Sequence, residues 1–268
     1  MDISIRDGVT LIQLTGGSAT QSFSREFLPK IRDAIIGNIG CKAIVITGEG
    51  NFFSAGADIK AFQKSIEDGD SVILIRELTD ILHPMLVKMR TSKTIFVAAL
   101  NGASAGGGLG LALACDARIA SPNGKMAASY SGIGLSPDGG TTWLLPRLVG
   151  EQAARRFFFE NQVWSAEEAC KLGAIDEVVS EDELIDRAIE IANTWSQWGS
   201  HTKEATKHLL LTQNVNDFET HLKHEQTLIE AAGTTASFAE GIDAFLSKRK
   251  PDFSNDMCDS KSQKTWNL

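Results

Sequence analysis

The sequence predicts an α/β fold with mostly parallel strands and a helical C-terminal third, on three observations. Apolar strand-like runs alternate with amphipathic helical stretches as far as about Ser180, glycine-bearing loops open where strands hand over to helices, and from there on the apolar spacing is helical throughout. Ile3–Ile5 and Val9–Leu14 alternate around Asp7-Gly8 as a hairpin would. Phe23–Ile36 has the spacing of a helix, and Ala43–Thr47 is a buried-strand run ending at Gly48. The rhythm repeats with Val72–Met89 as a helix, Thr94–Leu100 as a strand, Gly107–Ala114 as a helix and Ala117–Ala120 as a strand. Apolar runs of this kind are covered on both faces, which implies helices packed outside the sheets. Glu181–Gln197, His201–Thr212, Asp217–Ala232 and Ser237–Lys248 then read as four amphipathic helices. With no strand partner they need another surface, so a C-terminal helical layer with oligomer contacts is expected.

A chain of 268 residues with 43% hydrophobic content can bury a sizeable core. The expected organisation is a core over residues 1–195, a helical region over 196–254 and a polar tail over 255–268. No apolar run approaches the roughly 20 residues that span a bilayer, and Met1–Arg6 has neither a basic n-region nor an apolar h-region. A soluble cytoplasmic protein is therefore expected, with no membrane partner. Cys41, Cys115, Cys170 and Cys258 are scattered and form no CxxC pair, which points to reduced, mostly structural thiols and to no metal site. A formal charge of −8 argues against nucleic acid as a partner.

The segment Asn101–Asp116 joins an apolar strand to an apolar helix through Gly106-Gly107-Gly108. Removing every Cβ where the helix begins lets a ligand oxygen approach the first-turn amides and the positive end of the helix dipole. A tight turn that only lets helix and strand pack closely would have the same residues. A second glycine-bearing loop, Gly50–Lys60, also opens after a strand. Two such loops can bring amides from separate segments toward one oxygen, as an enolate or tetrahedral oxyanion requires. No acidic residue ends a following strand at the distance a dinucleotide fingerprint needs, so a nicotinamide site is rejected.

Ser54-Ala-Gly-Ala-Asp-Ile-Lys60, Asn101–Asp116 and Leu145-Pro-Arg-Leu-Val-Gly150 together resemble the crotonase, or enoyl-CoA hydratase/isomerase, family, with weaker likeness from Val9 to Phe253. The resemblance implies a spiral of ββα units assembled as a homotrimer or dimer of trimers that binds acyl-coenzyme A thioesters, with no cofactor beyond the coenzyme A of the substrate. It maps the oxyanion-hole amides onto Ala57 and Gly107, where one lost donor costs roughly 3–4 kcal/mol of barrier lowering. Substrate contacts fall on Ala55, Asp58, Ile59, Lys60 and Gly106, with a structural, loop-orienting role for Asp58. Lys248 and Lys250, flanking Arg249, map near the coenzyme A phosphates, although a solvated helix end explains them equally. Leu14–Ser22 lacks the basic residues the family carries there.

The departures concern the chemistry. Where hydratases of the family carry two glutamates, this chain has Gly110 and Tyr130, so simple 2-enoyl-CoA hydration is not expected. The nearest acid is Asp138, and Ile133–Arg147 is similar to the epoxyphenylacetyl-CoA isomerases of phenylacetate breakdown. Asp138 is expected as catalytic base and acid, or as an N-cap before Gly139-Gly140. Tyr130 would hydrogen-bond an intermediate, or form a wall with its hydroxyl tied to backbone. His83 is expected to be packed or solvated, and His221 with His224 to lie on a surface face. The expected function is an acyl-CoA isomerase working through a thioester enolate. The alternatives are a hydrolase of a thioester or β-dicarbonyl C–C bond, or a non-catalytic acyl-CoA binder.

Overall fold

The computed structural model describes residues 1–16 and 18–254; Cys258 and the polar tail lie outside the described residues. The chain begins with a hairpin, β1 (Asp2–Arg6) and β2 (Val9–Gln13), turned by Asp7 and Gly8. Then follow α1 (Phe27–Gly37), β3 (Ala43–Thr47), β4 (Phe52–Ser54), α2 (Ile59–Asp68), α3 (Ser71–Thr91), β5 (Ile95–Leu100), β6 (Ala103–Ala105), α4 (Gly107–Ala114), β7 (Ala117–Ala120) and β8 (Lys125–Ala127). The remainder comprises α5 (Thr141–Val149), α6 (Glu151–Phe159), β9 (Val163–Ser165), α7 (Ala166–Leu172), β10 (Glu177–Val178), α8 (Leu184–Ser196), α9 (Ser200–Thr212), α10 (Phe218–Ala232) and α11 (Ala236–Leu246).

Among the described residues these strands form two sheets, ordered β1-β2-β3-β5-β7-β10 and β4-β6-β8-β9. The large sheet is parallel beyond its first hairpin. β3, β5 and β7 of the large sheet each pass through a corner into a short strand of the small one, β4, β6 and β8, and then toward a helix, which is the ββα spiral. Asn101 ties two of these corners together: its Oδ1 accepts the Gly48 N–H at 2.8 Å and its Nδ2 donates to Gly50 O at 2.9 Å and Phe52 O at 3.2 Å. Gly102 follows because a Cβ there would stand 2.2 Å from the Asn51 backbone.

Alternation along the parallel strands separates two cores. Ile44, Ile46, Phe96, Ala98 and Leu100 face α1, α3 and α4, whereas Ala43, Val45, Ile95, Val97 and Ala99 face Leu184, Ala188, Ile189 and Ala192 of α8. Both faces are buried, as continuous apolar strands require. One expected helix is shorter than its spacing suggested. Phe23 does not join α1, because its N–H donates to Gly56 O and its C=O accepts from Asp58 N–H, drawing it into a bridge with the Ala57 loop. The helix starts after Ser24, whose Oγ accepts the Phe27 N–H.

The C-terminal helices are fastened to this core by a buried cation. Lys207 of α9 donates to Met89 O (3.0 Å), Thr94 O (2.9 Å) and Asp116 Oδ2 (2.8 Å), with about a tenth of its side chain exposed. Burial lowers its pKa below the usual lysine value, against the attraction of Asp116. Removing one partner of a buried pair leaves a charge and two carbonyls uncompensated. Lys207→Ala is therefore expected to lower the unfolding free energy by about 3–5 kcal/mol, read from the urea midpoint at unchanged slope.

Candidate active site

The two glycine-bearing loops meet. Gly56, at φ 76°, lies so close to the start of α4 that a Cβ there would stand 2.7 Å from Ala105 O and 2.8 Å from Gly107 N. The Phe23–Ala57 bridge uses the Gly56 C=O and the Asp58 N–H, so the Ala57 N–H is the amide of that segment outside the pairing. Gly107 is the first residue of α4, and the helix's own hydrogen bonds begin only with Gly110 N–H to Gly106 O. Its N–H therefore has no partner one turn back. These two amides adjoin at the positive end of α4, where a partly negative oxygen finds two donors.

The supporting residues are local. Gly106 reaches φ 51°, ψ −126°, a conformation open to glycine. Ala55 N–H donates to Thr20 O at 2.9 Å, and Asp58 caps α2 by accepting the Lys60 N–H at 2.9 Å. Ile59 and Lys60 occupy the exposed first turn of α2, beside this loop.

Asp138 reaches the same place by a backbone route. Gly139 and Gly140 both have positive φ, and Gly139 packs on α4: a Cβ at Gly110 would stand 2.5 Å from Gly139 O and 3.1 Å from its Cα. The space of a side chain at 110 is thus filled by the Gly139 backbone. The N-cap alternative for the Asp138 side chain does not hold. Its backbone carbonyl accepts from Thr141 N–H and Oγ1, while α5 has no side-chain cap and the carboxylate turns elsewhere. Tyr130, 5% exposed, donates its hydroxyl to Asp138 Oδ1 at 2.9 Å, with Asp138 O at 3.3 Å. Burial first, then the neighbouring Asp138 charge, push the phenol pKa well above 10. Tyr130 is therefore bound to a carboxylate as well as to backbone, a pairing the sequence did not reveal.

His83 is the residue that sequence reasoning set aside. Its Nε2 lies 3.4 Å from Asp138 Oδ2 and 3.4 Å from the Gly139 N–H. With Nε2 unprotonated the ring accepts the Gly139 N–H there, and with a proton on Nε2 it donates to Asp138. An apolar cavity of about 310 Å³ opens beside this cluster, bordered by His83, Gly139, Leu86, Trp143, Leu144 and Leu211. Its size and lining suit the acyl or aryl portion of a ligand. Lys248 and Lys250 are exposed, and the chain does not bring them to Asp138: Lys250 borders a separate cavity with Lys42 at the start of β3, whereas the site loops follow strand ends. Arg249 between them pairs with Glu240 and Asp243. His221 and His224 lie on α10 near His208, and no metal-holding cluster occurs among the described residues.

The chain matches the enoyl-CoA hydratase/isomerase family over residues 4–256. It is 33% identical over 237 residues to a protein of Bacillus subtilis described as a probable enoyl-CoA hydratase, covering 88% of this chain and 90% of that one. To the 1,2-epoxyphenylacetyl-CoA isomerase of Escherichia coli it is 28% identical over 253 residues, covering 93% and 96%. Among solved structures, an enoyl-CoA hydratase from Polaromonas superposes with a TM-score of 0.86 at 28% identity, covering 94% of this chain and 98% of that one. The match runs through both sheets, the glycine face of α4, the Asp138 loop and the C-terminal helices, and by it the chain belongs to the enoyl-CoA hydratase/isomerase family.

Proposed function

We propose that this protein is an acyl-CoA isomerase that moves a double bond or ring bond through a thioester enolate, with Asp138 carrying the proton. The observation that supports this most is the packing of Gly139 on Gly110, which fills with backbone the place of a side chain at 110 and holds the residue next to Asp138 against the first turns of α4. The thioester oxygen sits between the Ala57 and Gly107 N–H groups, which stabilise the charge that develops as a proton leaves the adjacent carbon. Asp138 takes that proton, and the electron pair of the C–H bond becomes the enolate. Return of the proton at another carbon shifts the double bond with no change in oxidation state, so the reaction itself calls for no redox cofactor.

Tyr130 on Oδ1 orients the carboxyl group and leaves Oδ2 as the oxygen that exchanges the proton. Tyr130 itself stays neutral and acts as a donor. The acyl chain occupies the cavity beside His83 and Trp143. Exposed Phe218, Ile229 and Phe245 on the C-terminal helices support assembly as a homotrimer or dimer of trimers. Hydrolysis is a second reading, favoured by His83 Nε2, which stands where a neutral imidazole could take a proton from a water beside the carboxylate.

Incubation with 3-enoyl-, 2-enoyl- and saturated acyl-CoA in D2O is the direct test. Deuterium entering next to the carbonyl with migration of the double bond is expected, and Asp138→Asn should slow it about 10²–10⁴-fold while thioester binding persists. Release of free thiol instead would favour hydrolysis, and undiminished exchange in the variant would remove Asp138 from the mechanism. Gly110→Glu is expected to gain no hydratase activity and to lose thermal stability, since its Cβ would collide with the Gly139 backbone. Because Tyr130 is the single tyrosine of the chain, alkaline titration followed by tyrosinate absorbance reports it alone. Its folded pKa is raised, so the stability contributed by the neutral phenol is complete below about pH 10 and lost as pH rises through the higher folded value. Tyrosinate is expected to appear only together with alkaline unfolding, monitored by circular dichroism.

A further inference from the structure

On the isomerase reading, in which Asp138 Oδ2 receives the substrate's proton, we infer that His83 is a proton relay: it takes that proton from the carboxyl group and exchanges it with water, so that the hydrogen delivered to the product comes from solvent. The other carboxylate oxygen offers no such outlet. Tyr130 is 5% exposed and its hydroxyl already donates to Oδ1 at 2.9 Å. Burial and the Asp138 charge keep this phenol neutral. A neutral phenol whose one proton is given to Oδ1 has none to pass on and leads only into the core.

Oδ2 meets an imidazole instead. His83 Nε2 stands 3.4 Å from it and 3.4 Å from the Gly139 nitrogen. A backbone N–H can only donate, so the Gly139 contact favours the ring form with a lone pair on Nε2 and a proton on Nδ1. That form is the one able to receive a proton from a carboxyl group. Packing fixes where the ring can stand: a Cβ at Gly107 would lie 3.2 Å from Leu82 Cδ2, and one at Gly139 would lie 3.7 Å from it, so the residue before His83 is seated against both site segments. The His83 side chain is 48% exposed and that of Asp138 34%. The open side of the carboxylate is the side that must face the substrate carbon, and a bound acyl group displaces water from it. His83, the more exposed of the two, then links Oδ2 to solvent.

The steps balance with water as the only co-reactant. The C–H electron pair becomes the enolate, and the proton sits on Oδ2. The O–H bond breaks as Nε2 takes this proton, leaving a carboxylate beside an imidazolium. Rotamer changes of an exposed side chain are fast, and the imidazolium loses the Nε2 proton to water, which returns the ring to the form with Nδ1 protonated. The same steps in reverse carry a solvent proton to Oδ2, and the enolate takes it at the other carbon. Without the ring, the carboxyl group holds the substrate's own proton until it goes back to the enolate.

Isomerisation of 3-enoyl-CoA thioesters in D2O, stopped at low conversion and scored by mass spectrometry and NMR as deuterium at the receiving carbon per double bond moved, tests the relay. This ratio is independent of rate, so a merely structural role for His83 would leave it unchanged. The wild-type protein is expected to deliver deuterium in most turnovers. His83→Gln, which keeps hydrogen-bonding groups but carries no proton, should lower the ratio several-fold as the substrate's own hydrogen is returned, and imidazole added to His83→Ala should raise it again. An unchanged ratio in both variants would overturn the relay while leaving the isomerase standing. Return of the substrate's own hydrogen at nearly every wild-type turnover would overturn it too, and that measurement decides the matter even where a variant does not fold. Absence of double-bond movement with every thioester would overturn the isomerase reading and the relay with it.

Discussion

Everything at the active site depends on how closely backbone approaches the side-chain-free face of α4. Ser54 lies against Gly108, the Gly56 loop against Gly107 and the Gly139 loop against Gly110, each near enough that a methyl group would force them apart. A helix normally keeps its neighbours at the distance of two layers of side chains. Here the neighbours touch the helix directly, and so three separated segments of chain place polar groups at one point. The Ala57 and Gly107 segments owe their proximity to this contact, and the loop that carries Asp138 is held against the same helix by it. Glycine at position 110 is then more than the lack of a side chain, because the volume left free is what the Gly139 backbone fills.

The cluster around Asp138 is assembled from elements with different kinds of support. Tyr130 is buried and its hydroxyl is held by both the carboxylate and the carbonyl of Asp138, so it orients the acid from the core side. His83 approaches from α3, whose Leu82 packs on Gly107 and thereby sets the helix against the site. Lys207 of α9, on Met89 O and Asp116, locks α9 over the end of the same helix.

Much of this was legible before the structure. The parallel strands announced themselves as uninterrupted apolar runs, and the helices as stripes such as Leu74, Leu78, Leu82, Met85 and Met89. Gly106-Gly107-Gly108 and the Ser54–Lys60 loop, through their resemblance to the family, marked Ala57 and Gly107, and Asp138 stood out as the acid nearest the missing glutamates. Two things were hidden. Phe23 looked helical by spacing but is captured by the Ala57 loop, because a backbone pairing partner distant in sequence outweighs local periodicity. His83, lying beside the buried stripe of α3, gave no sign that Gly139 would come within reach of its ring.

The sequence by itself determined the fold class and the family, because periodicity, glycine placement and residue identity are local properties written along the chain. Only the tertiary structure decided that the Asp138 carboxylate faces Tyr130 and His83 instead of capping α5, and that Arg90 shares Asp116 with Lys207. Those facts depend on which side chains from remote segments compete for one carboxylate, a matter of distance in space that one-dimensional spacing does not encode.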